Sequence, residues 1–317
     1  MSNIFKNDYS YLKNNTTSCI AAAGELLKQG KLSLITGAGV SMALGLPSWY
    51  SLVTGLCKAS NKSEINDLVK EADELDLKYI SERFKSSLDN NKYLEEVARE
   101  LYSKLDLNLE TVHHPMMTAL TSLFIGNYKG RVKQVITYNF DNLLNWYLNV
   151  LGLNVNTEFN KSAMDMNEDC SIFHIHGYLP HPKSNMGKKS STIVFTEKEF
   201  NGNIRERDGI RMQKLKSLLT RSTFLSVGAS YETLVKDLSP EIEELKTKWY
   251  LDNTPDEFLR DTPFGFSIQL TELHGKTLHI DERQEKDLLK DYGIITIKCK
   301  DYEVPEVIFK ITQAARF

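Results

Sequence analysis

Leu32-Ser33-Leu34-Ile35-Thr36-Gly37-Ala38-Gly39-Val40-Ser41 is the stretch on which the reading of this chain turns. A short apolar, β-branched run that breaks into small residues ahead of a helix reads as a strand feeding a phosphate-binding turn. Glycine lets a backbone approach a pyrophosphate, and the following helix offers free N–H groups at the positive end of its dipole. The plain alternative is a tight strand-to-helix turn with no ligand, and one glycine pair leaves both readings open. Two large nucleotide-binding classes drop out at once. A dehydrogenase fingerprint needs a third small residue where Met42 stands, and an acidic residue closing a second strand about 20 positions on. Residues 48 to 75 instead place Leu, Val, Ile and charges at helical spacing. No Gly-Lys-Ser or Gly-Lys-Thr follows the glycines, so the turn is not a P-loop either.

With 317 residues and 41% hydrophobic content, the chain can bury one large α/β core or two small ones, and nothing in it has the composition of a disordered segment. A net charge of -3 argues against a dedicated nucleic-acid binder, and the small basic loop at Lys183, Lys188 and Lys189 reads as solvated. Cys19, Cys57, Cys170 and Cys299 are too scattered for a zinc knuckle or a disulfide framework, so no metal is expected. Met1 to Asn15 has neither an apolar signal core nor an Arg-rich amphipathic pattern, and no apolar run approaches the roughly 20 residues of a membrane span. The expectation is a cytoplasmic protein without membrane attachment.

Outward from the glycine turn, Ile20, Ala23, Leu26 and Leu27 predict a helix over about 17 to 29, closed by Gly30. From about 48 to 124 the pattern is helical throughout, carried by Leu52, Leu56, Leu68, Leu75, Tyr79, Phe84, Leu94, Val97 and Leu101, and it reads as a helical insertion. Strand-like runs return at Val132 to Thr137, Ser171 to Ile175, Thr192 to Phe195, Phe224 to Val227, Phe264 to Leu270 and Ile294 to Lys298. Helical segments separate them at about 140 to 150, 205 to 221, 231 to 250 and 282 to 291, and a last helix is expected at 303 to 317. This alternation predicts an α/β fold with a doubly wound, mainly parallel sheet. Neither a repeat nor a low-complexity linker divides it, so residues 1–317 are read as one unit, with a core of about 17–47 and 128–300.

Ligands of open α/β sheets bind beyond the carboxyl ends of the strands, where four of the predicted strands end in polar chemistry. The first ends in Gly37-Ala38-Gly39-Val40-Ser41 and the second in Thr137-Tyr138-Asn139-Phe140-Asp141. The third ends in His176-Gly177 and the fourth in Gly228-Ala229-Ser230. Each has a structural alternative: Asn139 or Asp141 as an N-cap of the helix starting near Asn142, His176 as a surface histidine, Gly228 as a turn. Four such endings on one predicted rim point to an active site. His174 and His176 suggest a metal pair only if the strand runs on between them, and no Cys or carboxylate completes a ligand set, so His174 is expected to pack or to support its neighbours.

These motifs, with Gly45-Leu46-Pro47 between the first and second, resemble the sirtuin superfamily, whose ordered signatures are Gly-Ala-Gly-x-Ser, Gly-Ile-Pro, Thr-x-Asn-x-Asp, His-Gly and Gly-x-Ser. The resemblance spans residues 31 to about 300 and implies a Rossmann-like core that binds NAD. It implies that the glycine loop holds the pyrophosphate and that Gly37, Ala38, Gly39, Ser41, Pro47, Trp49, Thr137, Gly228 and Ser230 bind NAD. Asn139 and Asp141 would flank the nicotinamide ribose, and His176 would be the general base. Protein-deacylating members carry two Cys-x-x-Cys pairs soon after His-Gly, and Tyr178 to Ile193 contains no cysteine; they also follow Gly-Ile-Pro with Asp-Phe-Arg, where this chain has Ser48-Trp49-Tyr50. Leu46-Pro47-Ser48-Trp49, Phe195-Thr196-Glu197-Lys198-Glu199-Phe200 and Tyr292-Gly293-Ile294 resemble the zinc-free bacterial branch, NAD hydrolases of antiphage defence.

The resemblance therefore implies an enzyme that takes NAD as substrate and releases nicotinamide and ADP-ribose, or a cyclic product if an adenine nitrogen attacks. The chemistry suits the residues: cleavage passes through an oxocarbenium-like state, Asn139 can orient water or ribose hydroxyls, Asp141 can answer positive charge, and an imidazole can accept a proton near neutral pH. A deacylase or ADP-ribosyltransferase, and a non-catalytic NAD or ADP-ribose sensor, are the alternatives. No separate sensor segment is visible, so control is expected to come from assembly. The partner would be further copies of the chain or an encoded ATPase or phage-sensing protein, meeting the insertion or the charged helices near 231 to 250 and 282 to 291.

Overall fold

A computed structural model describes residues 12–59, 74–105, 107, 113–126, 130–158, 168–183, 193–196, 199, 209–252, 262–278 and 281–316. Lys188 and Lys189 of the basic loop, Leu68 and Thr192 lie outside the described residues, as do 60–73 of the helical stretch. The strands are β1 (Leu32–Thr36), β2 (Gln134–Thr137), β3 (Val155–Glu158), β4 (Cys170–His174), β5 (Thr223–Val227), β6 (Gly265–Leu273), β7 (Lys276–Thr277) and β8 (Ile294–Lys300). They form one sheet in the order β3-β4-β2-β1-β5-β6, with β8 on β6 and every pair parallel except the β6–β7 hairpin. The hairpin turns through His274 and Gly275, both at positive φ (51° and 76°) as a two-residue connection requires.

β1 is wholly buried, Ser33 and Thr36 included, as suits a central parallel strand covered on both faces. Its alternate residues serve opposite faces. Leu34 stands in register with Val135 and Leu225, and these with Ile172 and Phe266, all in one core. Ile35, Ile136 and Phe173 point into a second core on the other face. Burial of each such side chain is worth about 1.5–3 kcal/mol, which pins the register.

Helices cover both faces. On the first lie α1 (Thr16–Lys28), α3 (Trp49–Ala59), α5 (Asn90–Leu101), α6 (Pro115–Ser122), α7 (Leu143–Val150) and α11 (Val304–Arg316), whose apolar sides enter the first core; α4 (Glu74–Ser86) packs on α3. Gly24 lets α1 meet α11 closely, since a Cβ there would stand 2.6 Å from the Ala314 Cβ. On the second face lie α8 (Ile210–Arg221), α9 (Tyr231–Asp252) and α10 (Glu282–Tyr292). The first helix starts at the Asn15 cap, whose side chain accepts from the Ser18 N–H at 3.0 Å, and Gly30, at φ 70°, takes the chain out of it. The fold is α/β with a mainly parallel sheet and helices on both faces, as the alternation predicts.

Two elements differ from expectation. Residues 193–195 join no ladder of the sheet. The Val194 N–H donates to the His176 carbonyl at 2.6 Å, while the Phe195 and Thr196 N–H groups both donate to the Glu199 carboxylate at 3.0 Å. The apolar side chains there are anchors for a loop, and a carboxylate takes the place of a neighbouring strand. β3 was not predicted: Val-Asn-Thr-Glu has no apolar run, and it is held as an edge strand through polar side chains, with Asn145 donating to Thr157 and Ser171 to Glu158. Among the described residues no helix is long and apolar enough to cross a membrane.

Candidate active site

After β1 the chain builds β2, β4 and β3 on one side of it and then crosses to β5 on the other, so the gap between β1 and β5 is the topological switch point of the sheet. Both glycine turns face that gap. The Gly37 N–H donates to the Val227 carbonyl at 3.0 Å and the Gly39 N–H to the Gly228 carbonyl at 2.9 Å. A Cβ on Gly37 would lie 2.5 Å from the Gly228 oxygen, and Gly228 itself sits at φ 71°. Close backbone approach is the reason for glycine at 37, and handedness adds a second reason at 228. Gly37 caps α2 (Ala38–Ala43), and Ala38 is exposed at its start.

The rim beyond β1 and β2 is tied into one unit by side chains. Ser41, buried on α2, donates its hydroxyl to Asp141 Oδ2 at 2.6 Å. Asn139 Nδ2 donates to Ser41 Oγ at 2.9 Å and to the Gly37 carbonyl at 3.0 Å, while its own N–H donates to Thr137 Oγ1 at 3.1 Å. Asp141 Oδ1 accepts from the Leu143 N–H at 3.1 Å just ahead of α7 while its other oxygen serves the rim; the N-cap of α7 is Asn142, so neither Asn139 nor Asp141 is that cap. Burial pushes the Asp141 carboxyl above its ordinary value, with the Ser41 hydroxyl and the Leu143 N–H pulling the other way.

His174 and His176 part company where β4 ends. Strict alternation places both on one face, but the strand stops at His174 and Gly177 turns at φ 98°. His174 is fully buried; its Nδ1–H donates to the Asn139 carbonyl at 3.0 Å and Nε2 lies 3.1 Å from the Asn145 side-chain amide. It is a supporting residue, as expected, and the group it supports is Asn139. His176 is half-buried on the other side. Its ring lies 5.2 Å from that of Tyr138 and 6.5 Å from that of Phe140, and its Nε2 lies 3.9 Å from Asp237 Oδ2 on α9.

Trp49 opens α3 and reaches this side through Phe195: the two rings are 6.3 Å apart, and Phe195 is 6.1 Å from Phe140. Pro47 is half-buried in the turn before it, and Ser230 is exposed at the start of α9, where its hydroxyl accepts from the Thr233 N–H at 3.2 Å. The glycine turns, Ser41, Thr137, Asn139 and Asp141 thus form one hydrogen-bonded group with His176 and Trp49 around it through aromatic rings, while Pro47 and Ser230 stand at its edges. Sequence reading missed Asp237 and Tyr102, and it marked Phe195 only as a strand end and as part of the Phe195–Phe200 phrase. The Tyr102 phenol, just beyond α5, donates to the Leu179 carbonyl at 2.6 Å and accepts from the Asn142 N–H at 3.2 Å, fixing the loop that follows His176. No motif marks Asp237 or Tyr102.

The four cysteines are buried on α1, α3, β4 and β8, and burial pushes Cys19 and Cys57 up to about 11 and Cys170 and Cys299 up to about 12, so they stand as thiols. Among the described residues no group of three His, Cys, Asp or Glu is placed to hold a metal. An amide, a carboxyl and a hydroxyl locked to one another beside an imidazole, at the mouth of a parallel sheet, can order a sugar's hydroxyls and move a proton.

Residues 133–238 match the model of a family described as a SIR2-like domain. That segment holds Thr137, Asn139, Asp141, His176, Gly228 and Ser230 and leaves the turn at Gly37 outside it. Among solved structures, the chain is similar to one described as "Structural Basis for the Mechanism and Regulation of Sir2 Enzymes", at 16% identity over 94% of this chain and 96% of that one, TM-score 0.42. It is also similar to a complex of a Sir2 homologue with NAD, at 15% identity over 94% of each chain, TM-score 0.44. No curated protein matches it.

Proposed function

We propose that this chain hydrolyses the nicotinamide–ribose bond of NAD to nicotinamide and ADP-ribose, and that the resulting loss of NAD serves antiphage defence. The observation that carries the reaction is the bonded unit Ser41–Asn139–Asp141 at the mouth of the sheet with the His176 imidazole on the neighbouring rim. The SIR2-like match over residues 133–238 supports the class of reaction. The cysteine-free interval from Tyr178 to Ile193 supports hydrolysis over peptide deacylation, and the defence role rests on the resemblance of Leu46-Pro47-Ser48-Trp49 and its companions.

In this reading the pyrophosphate lies across the switch point against Gly37, Ala38, Gly39, Gly228 and Ser230, and Pro47, Trp49 and Thr137 border the nicotinamide end. The C1′–N bond breaks with its electron pair passing to the nicotinamide nitrogen, which cancels the pyridinium charge, and C1′ becomes oxocarbenium-like. Water adds at C1′ and gives its proton to His176, which returns it to solvent. Asn139, held by two acceptors, orients the ribose hydroxyls or the water. Asp141 answers the developing cation, and the burial that penalises its charge at rest makes that charge more effective when a cation forms beside it. Residues 1–317 act as one unit, controlled by assembly with further copies or an encoded partner. A monomer that cleaves NAD at full rate alone overturns that control.

The test is incubation of the purified protein with NAD and chromatography of the products. Nicotinamide and ADP-ribose are expected, and both are to be lost in Asn139→Ala and His176→Ala while NAD binding persists. Nicotinamide released only in the presence of an acyl-peptide replaces hydrolysis by deacylation, and binding without turnover makes the chain a sensor.

A further inference from the structure

Asp141 and His176 sit on two chain segments, one beyond β2 and one beyond β4, that lie side by side through backbone bonds. The Ile175 N–H donates to the Thr137 carbonyl at 3.0 Å, and the Leu179 N–H donates to the Phe140 carbonyl at 2.8 Å. Between those two points the His176 segment arches away, turned by Gly177 at φ 98°, whose N–H reaches back to the His174 carbonyl at 3.1 Å. The arch holds its crown only as firmly as its two feet are held. The near foot continues β4, whereas the far foot, at Leu179, lies outside any regular element.

The far foot is met by the Tyr102 phenol, which enters from just beyond α5. Its O–H donates to the Leu179 carbonyl at 2.6 Å, and the same oxygen accepts from the Asn142 N–H at 3.2 Å. One atom thus answers a carbonyl of the His176 segment and the amide of the residue that follows Asp141. A hydroxyl suits this place because it is donor and acceptor at once. The Asn142 side chain adds a further tie, its Oδ1 accepting from the His181 N–H at 2.9 Å. The phenol ring is itself held: it is buried, it meets the His181 ring edge-on at 4.8 Å, and it follows a helix whose Tyr93, Val97 and Leu101 are sunk in the first core. Burial first, and then the nearby Asp141 charge, pushes the Tyr102 phenol well above its ordinary value, so it keeps the proton that it donates.

We propose that Tyr102 is the positioning residue that sets Asp141 and His176 relative to one another, by bonding the backbones that carry them. This rests on the reading of those two residues as the groups that act on NAD. Cleavage needs the carboxyl group beside the forming cation and the imidazole within reach of the incoming water, and a misplacement of about 1 Å costs up to about 100-fold in rate. The phenol acts on the two segments and not on the substrate. Because α5 belongs to the helical stretch between β1 and β2, the same oxygen gives that stretch a direct hold on both groups.

The test compares the full chain with Tyr102→Phe, which keeps the ring against His181 and removes only the oxygen. In the variant, kcat for NAD is expected to fall about 10- to 100-fold with KM within about twofold. By NMR without NAD, the NOE between the His176 and Tyr138 rings, whose centroids are 5.2 Å apart, is expected to weaken. An unchanged kcat, or an unchanged NOE beside a lowered kcat, overturns the proposal. So does a rate loss that only follows the fraction of unfolded protein, which denaturant titration measures. In the unmodified protein, native-state hydrogen exchange is expected to give the Asn142 and Leu179 amides one common opening free energy. Unrelated values overturn the proposal, and this readout stands even if Tyr102→Phe does not fold. Absence of NAD cleavage by the unmodified protein, with the weakened NOE and the shared opening both observed, condemns the hydrolase reading and leaves the coupling of the two segments in place.

Discussion

His174 closes β4 with both ring nitrogens engaged, Nδ1 on the Asn139 carbonyl and Nε2 on the Asn145 amide, whereas His176, two residues on, rests half-buried against Tyr138 and Phe140 with Nε2 turned to Asp237. The first shares its face of the sheet with α7, and the second lies on the side of α9. The difference comes from where the strand stops, since another residue of ladder would have put both rings on one face. It teaches that the same side chain, almost adjacent in sequence, is used once to hold the backbone of a candidate catalytic residue and once as a candidate proton acceptor.

The sharpest way to break this contrast is to remove each ring. His176→Ala is expected to reduce NAD cleavage by about 10²- to 10⁴-fold with a small change in melting temperature, checked by product chromatography and calorimetry. His174→Ala is expected to do the reverse in kind. It leaves a buried cavity and strips the Asn139 carbonyl of its donor, so denaturant titration should show a loss of about 3 kcal/mol, and His174→Gln should regain part of it.

Asp141 refines the contrast from the carboxyl side. Its folded pKa is raised by burial, so the native state binds the proton more tightly than the unfolded chain does. The resulting stability is fully present below the ordinary value of 3.8 and is lost as pH rises from there through the folded value. Asp141→Asn should remove that part of the pH dependence while abolishing turnover, as measured by unfolding at a series of pH values. The smallest effect is expected at the far end of the His174 relay. Thr157→Val deprives the Asn145 amide of its 2.9 Å acceptor, should cost about 1 kcal/mol, and should leave NAD cleavage unchanged.

What was legible in the sequence followed burial. The short, mostly apolar runs of β1 and β5 announce central strands, and the helical spacing of Ile20, Ala23 and Leu27 announces α1. β3 escaped because an edge strand need not be apolar; its Thr157 and Glu158 are held by the polar side chains of Asn145, Ser171 and Lys214, which lie on other elements. Residues 193–195 were misread for the converse reason, since Ile193 and Phe195 are buried as anchors while the backbone bonds go to Glu199. At the site, Ser41, Asn139, Asp141 and His176 could be picked out as residue types beyond strand ends, yet nothing in their spacing says that Ser41 bonds both Asn139 and Asp141. Asp237 was invisible because it belongs to a long amphipathic helix whose periodicity speaks only of packing.

The two glycine turns reach across the seam between β1 and β5 with a pair of backbone bonds, one from each of the Gly37 and Gly39 amides. Those two amide protons can exchange with solvent only when the halves of the sheet draw apart, so their exchange rates act as a gauge of whether the mouth of the molecule opens locally or only with the whole fold.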